Sequence, residues 1–398
     1  MAAYSDMSGR LGVVAEESLG TLSLAMFGWG DILRRVQGLA LDMFGLGPVE
    51  CSYRVIASQP SWRLRRYDGA DARWPLLIVA APIKRPYIWD LTPTTSVIRR
   101  LIRRGMHVHL LEWCPPSSRD PAGLEVYADR AIAACVGRIS RESGTAPFLM
   151  GHSLGGTLAT MYAALEPERV RGLVLIGAPV CFPPASAGCA DAAAISSPLT
   201  VTHSALIPGS AVSFLSALGW PQIFIWSRIE DSLLSAINPR AAVRCARVER
   251  WALDEVALPE VLLRQVAEWL YRENRLCRGT LRLRGMTVGP AAVRVPTFAV
   301  VNVADGLAPR ASVAPFLDRM VHRDVSLVEF AGEAGVGLQH LALLIGPRAH
   351  EEVWPAIELW LEGHAQESDW RVPPISVWTP RSATRAARGQ RSPTVRMA

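Results

Sequence analysis

The 398-residue chain is longer than one average domain but fits one large α/β domain carrying an insertion. Half of its residues are hydrophobic and a fifth are charged, which excludes wholesale disorder; no glycine period or internal self-similarity points to collagen or a solenoid. Five arginines after Thr379 (Arg381, Arg385, Arg388, Arg391, Arg396) leave only +1 of the formal charge of +6 for the body, too little for a surface that tracks nucleic-acid phosphates.

The chain opens Met1-Ala2-Ala3-Tyr4-Ser5-Asp6, with an acid where a secretory leader needs basic residues, and no apolar run is long enough for a transmembrane span. A cytoplasmic protein is expected. Residues 15 to 47 carry apolar residues at helical spacing, interrupted at Gly28 and Gly30. They read as a helix pair packed on the body or a partner, with docking on a lipid or polymer surface as the alternative. From Tyr53 the texture changes to short strands at Tyr53–Ile56 and Trp62–Tyr67. Pro75–Ala80 is a continuous apolar run, as in a strand buried on both faces of a parallel sheet. A helix over Ser96–Arg104, a strand over Val108–Trp113, a helix around Glu125–Ser140, a strand at Phe148–Met150, a helix from Leu154 and a strand over Val170–Ile176 continue the alternation. Such alternation predicts βαβ units and a mostly parallel sheet flanked by helices.

The rhythm stops after Pro179 and resumes with strands at Thr297–Asn302 and Val325–Phe330 and a helix over Ala349–Leu361. The predicted organisation is an N-terminal helical segment (1–50), an α/β core in two parts (51–181 and 288–365), a helical cap or lid insertion (182–287), and a basic, disordered tail (366–398). The seven cysteines (Cys51, Cys114, Cys135, Cys181, Cys189, Cys245, Cys277) are odd in number and form no C-x-x-C pair. Neither a zinc site nor a disulfide framework is expected, and reduced, mostly buried thiols are.

Gly151-His152-Ser153-Leu154-Gly155-Gly156 lies between a buried strand and a helix, the context in which G-x-S-x-G carries meaning. A sharp turn there exposes the serine hydroxyl and aims the Leu154 N–H, at a helix N-terminus, toward a developing oxyanion. A serine hydroxyl needs a base oriented by an acid, and in this chain order the partners are Asp305 and His340, each beyond the C-terminal end of a strand. His340 sits on a loop containing Gly332, Gly335 and Gly337. The second oxyanion donor is expected from the loop after Pro75–Ala80, near Ile83. Lys84, the only lysine, reads either as a solvated loop cation or as a contact for an anionic substrate. Trp220, Phe224, Trp226 and Trp251 in the insertion are candidates for an apolar acyl pocket, with ordinary core packing as the alternative for each. No metal and no cofactor is called for.

Several segments resemble the poly(3-hydroxyalkanoate) synthase family, catalytic subunit type: Ile83–Leu91, Ser96–Leu101, Leu110–Trp113, Tyr271–Leu276 followed by Gly279, and Trp354-Pro355 with Trp360-Leu361. The resemblance covers roughly Tyr53 to Gly363. It implies an α/β-hydrolase fold, a mobile cap, and hydroxyacyl esters, polyesters or acyl-CoA thioesters as substrates, with a polymer granule surface as a partner. A homodimer is a candidate assembly. The family's triad falls on Ser153, Asp305 and His340, but with serine where the family uses cysteine, and Gln339 rather than glycine precedes the histidine. An oxygen ester on Ser153 is readily cleared by water, so the substitution favours a serine hydrolase of the esterase, depolymerase or thioesterase type. The alternatives are an acyltransferase that still polymerises 3-hydroxyacyl-CoA, and a non-catalytic granule-associated protein.

Overall fold

A computed structural model describes residues 26–69, 73–115, 122–182 and 206–366. Eight strands form one sheet in the order β1-β2-β4-β3-β5-β6-β7-β8, where β1 is Arg54–Gln59, β2 Trp62–Arg66, β3 Trp74–Val79, β4 Met106–Trp113, β5 Phe148–His152, β6 Leu173–Ile176, β7 Thr297–Asn302 and β8 Val325–Phe330. The first three in that order pair antiparallel, and from β4 to β8 every pair is parallel.

The continuous apolar runs are explained by burial on both sides. Along β3, Leu77 and Val79 join one core cluster while Leu76 and Ile78 join the other; along β5, Leu149 faces the first and Phe148 and Met150 the second. Successive side chains point to opposite faces, so only a sheet covered on both sides needs six apolar residues in a row. One face is covered by α3 (Ala131–Ser143) and α4 (Leu154–Leu165), the other by α2 (Val97–Arg103) and the last described helix, Trp354–Gln366, through Val97, Leu101, Trp354 and Leu361.

Several expectations need correction. Gly28 and Gly30 do not break the first helix, α1, which runs unbroken over 26–43. Gly30 marks a close approach instead: a Cβ there would lie 3.2 Å from Ser210 Oγ, and Ser210 hydrogen-bonds both Phe27 O and Asp31. The opposite side of α1 leaves Met26, Trp29, Leu33 and Met43 exposed. The helix expected around Glu125–Ser140 is present, with a π-helical turn, Val126–Arg130, leading into α3. That expected over Ala349–Leu361 is two helices, Pro347–Glu352 and Trp354–Gln366.

The stretch between β6 and β7, expected to be helical and irregular, also contains a hairpin, Leu281–Leu283 with Met286–Val288. Its two-residue turn puts Arg284 at φ 52° and Gly285 at φ 76°, a conformation that favours Asn-Gly. Arginine disguises it, and the guanidinium is held by Asp129 at 3.2 Å and Glu166 at 2.7 Å. The expectation of free cysteines is also overturned at two positions, since Cys181 and Cys277 form a disulfide. Their separation of 96 residues left no spacing signal. Among the described residues Cys51, Cys114, Cys135 and Cys245 are free. Residues 1–25 and 367–398 lie outside the described residues, as do all of 183–205, Cys189 included. No described helix is long and apolar enough to cross a membrane.

Candidate active site

The turn from β5 into α4 carries Ser153 at φ 54°, ψ −137°, a region that a residue with a side chain rarely occupies. The surrounding packing over-determines it. A Cβ on Gly151 would lie 2.4 Å from Gly156 N, and one on Gly155 would lie 2.1 Å from Val79 O. Strand and helix therefore meet at a distance only glycine allows. Leu154 is the first residue of α4, so its N–H has no acceptor within the helix.

Asp305 follows β7 and is 2% exposed. Its Oδ1 accepts the Leu307 N–H at 2.8 Å and its Oδ2 lies 2.7 Å from His340 Nδ1. Burial is the largest influence on this carboxyl and pushes its pKa up. The imidazole charge and the hydrogen bonds from His340 and Leu307 outweigh it and hold the group below the ordinary aspartate value. His340 sits in the short turn Gln339–Leu341, and its Nε2 is buried with no hydrogen-bond partner among the described residues. A buried, unpaired ring nitrogen costs stability unless something fills it. Ser153 and His340 line the same cavity, of about 500 Å³. The histidine backbone is held too: His152 Nε2 donates to His340 O at 2.8 Å, and Asn302 Nδ2 donates to Gln339 O at 2.8 Å. Full burial, with the His340 ring alongside, pushes His152 down to about 3, so it stays neutral as a structural donor.

Of the other sequence candidates, Ile83, Leu154, Trp220, Phe224 and Trp251 line this cavity. Trp226 does not; it is 59% exposed, which removes it from the acyl-pocket set. Lys84 borders the cavity but is neither a solvated cation nor free for a substrate anion. Its ammonium is buried against Glu255 Oε1 at 2.6 Å and donates to Ala252 O; burial pulls its pKa down to about 8 against the opposing pull of Glu255. Sequence reasoning missed how firmly residues 251–256 hold the loop after β3. Val256 N–H donates to Ile83 O, Arg85 N–H to Asp254 O, Trp251 Nε1 to Arg85 O, and Tyr87 Oη to Asp254. It also missed Asp231, whose carboxylate accepts the Gly335 and Gly337 N–H groups of the loop before His340. These contacts join segments about a hundred residues or more apart, so no local pattern announces them. Among the described residues, no group of three His, Cys, Asp or Glu could hold a metal ion.

A family described as alpha/beta hydrolase fold matches residues 98–203. The poly(3-hydroxyalkanoate) polymerase subunit PhaC of Haloferax mediterranei is 30% identical over 328 residues, 80% of this chain and 65% of that protein. The PhaC subunit of Haloarcula marismortui is 28% identical over 300 residues, 74% of this chain and 62% of its own. The chain thus spans slightly under two thirds of the length of these two relatives. It covers 88% of the PhaC subunit of Thiocystis violacea, at 26% identity over 324 residues and 80% of this chain. Among solved structures, the monoacylglycerol lipase of Paleococcus ferrophilus is 18% identical with a TM-score of 0.48, over 76% of this chain and 99% of the lipase. With several such polymerase subunits alike over most of its length and a mostly parallel sheet flanked by helices, this chain is similar to poly(3-hydroxyalkanoate) polymerase subunits and has the α/β-hydrolase fold.

Proposed function

We propose that the protein is an acyltransferase that carries 3-hydroxyacyl groups from a thioester, through an ester on Ser153, to the hydroxyl end of a growing polyester. His340 Nε2 takes the Ser153 proton as Oγ attacks the thioester carbonyl, and Asp305 holds the ring and the charge that forms on it. The Leu154 and Ile83 amides receive the oxyanion. Each such donor is worth roughly 3 to 4 kcal/mol in related sites. Collapse expels the thiol, which takes the proton back from His340. The incoming hydroxyl then repeats the sequence in reverse and restores Ser153. Trp220, Phe224 and Trp251, at the insertion side of the cavity, suit an aliphatic acyl chain.

One observation carries the reading: a buried His340–Asp305 pair with an unpartnered Nε2 shares a cavity with a serine held in a left-handed turn. The polymerase relatives favour transfer to a hydroxyl over transfer to water, which reverses the order in which sequence chemistry alone ranks the two. Hydrolysis is the second reading, and the serine at position 153 favours it. The test incubates the protein with 3-hydroxybutyryl-CoA, following free thiol, insoluble polyester and free hydroxy acid. Thiol release with polyester, lost by roughly 10³-fold or more in Ser153→Ala, supports the proposal. Thiol release with acid alone moves the protein to the second reading, and no turnover of thioester or polyester overturns both.

A further inference from the structure

Resting on the serine reading above, we propose that Asp231, in the insertion, is a positioning residue for His340: it clamps the glycine loop that delivers the base, so the base is held fully in register only while the insertion is docked. Asp231 lies in the helix Ser227–Ser235, is buried, and aims both carboxylate oxygens at one target. Oδ1 accepts the Gly335 N–H at 2.7 Å and Oδ2 accepts the Gly337 N–H. Both glycines are left-handed, at φ 82° and 73°, as is Gly332 at φ 82°. Left-handed glycines turn successive amides to one side and create a concave anion seat. Here the anion is a side chain of another part of the chain. From the helix Pro239–Ala252, Arg244 Nε donates to Gly335 O at 2.7 Å, so donor and acceptor of one loop residue are both taken by the insertion. Asp231 is held in turn, because Ser235 Oγ donates to its carbonyl and the Cys245 thiol lies against its Oδ2.

The core pins the other end of the loop, through Asn302 on Gln339, His152 on the His340 carbonyl and Asp305 on its ring. A loop with three glycines has a large backbone entropy to lose; Arg348 and Gln339 hold its start at Gly332 and Glu333, and the clamp at two amides suppresses the freedom of the stretch between there and Gln339. Leu338, the residue between the clamp and the pinned end, lines the cavity, so a loosened loop disturbs the pocket wall beside the base.

The experiment reads the base without depending on the true substrate. Full-length protein is treated with a fluorophosphonate, and the rate and affinity of Ser153 phosphonylation are separated by varying probe concentration. Asp231→Asn keeps the shape but offers a donor where one amide needs an acceptor. It is expected to slow the limiting rate roughly tenfold or more with little change in apparent affinity. Asp231→Glu, which keeps two acceptors, is expected to lose less. Glu230→Gln, the same charge loss at an exposed neighbour, is expected to change neither. Should Asp231→Asn fail to fold, Arg244→Gln, which removes the bond to Gly335 O, is expected to slow the limiting rate severalfold in the same manner. Folded Asp231→Asn that labels at the parent rate overturns the inference, as does a loss equal in Glu230→Gln. Parent protein that does not label at all removes the serine reading itself, and this inference with it.

Discussion

Gly155→Ala tests the central geometric claim, that the closeness of β3 to the start of α4 sets the reactive serine. A methyl at position 155 would lie 2.1 Å from Val79 O, 2.9 Å from Ala80 C and 3.0 Å from Ala81 N. All three are backbone atoms at or just beyond the end of β3, so none can rotate away. Ordinary contact starts near 3.4 Å, which leaves about 1.3 Å to be made up by moving α4 or the strand end apart. Overpacking of this kind costs roughly 1–3 kcal/mol of stability. The functional loss is larger in proportion: a misplacement of about 1 Å between nucleophile, amide donors and base costs on the order of 10²-fold in rate. The assay is the limiting rate of Ser153 phosphonylation alongside the denaturant midpoint. Gly144→Ala is the control, because a Cβ there meets nothing within 4 Å, although Gly144 itself is left-handed at φ 72°. That variant should lose roughly 1 kcal/mol of stability and no rate. A folded Gly155→Ala protein that labels as fast as the parent refutes the reasoning.

Two further outcomes follow from buried groups. Burial pushes His109 and His152 down to about 3 and His350 down to about 4, so each is neutral when folded but takes up a proton below about pH 6.5 when unfolded. The unfolded state binds more protons in that window, so stability rises with pH there and is lost as pH falls through it. At pH 5 each histidine costs about 2 kcal/mol relative to neutral pH, roughly 6 kcal/mol together, comparable with the whole stability of a domain. Denaturant midpoints at pH 7.5 and pH 5 check this, and equal midpoints refute it. For the Cys181–Cys277 bridge, which spans 96 residues of sequence, non-reducing digestion should give a linked peptide pair. Removing it as Cys181→Ser with Cys277→Ser should lower stability by roughly 2–4 kcal/mol. Recovery of both residues as free thiols from unreduced protein contradicts it.

The sheet and the candidate triad were legible because both are written locally. Burial on both faces forces runs such as Leu76–Val79, and the elbow forces glycine at 151 and 155 around Ser153. Asp305 and His340 were found from their places after strands rather than from any sequence contact. Lys84 was misread because a lone lysine looks solvent-facing until Glu255, 171 residues away, is seen beside it. The disulfide and the Asp231 clamp were invisible for the same reason. The helix break expected at Gly28 and Gly30 failed because Gly30 serves a close crossing with Ser210 and not a turn, and sequence pattern does not distinguish the two; nothing in the structure explains Gly28.

The bond from His152 to the His340 carbonyl places the base through the residue beside the nucleophile, without using the nucleophile's own side chain. The scaffold is therefore indifferent to which chalcogen occupies position 153. An exchange of oxygen for sulfur there removes no partner from the bonds that His152, Asn302 and Asp305 make to the base and its neighbour.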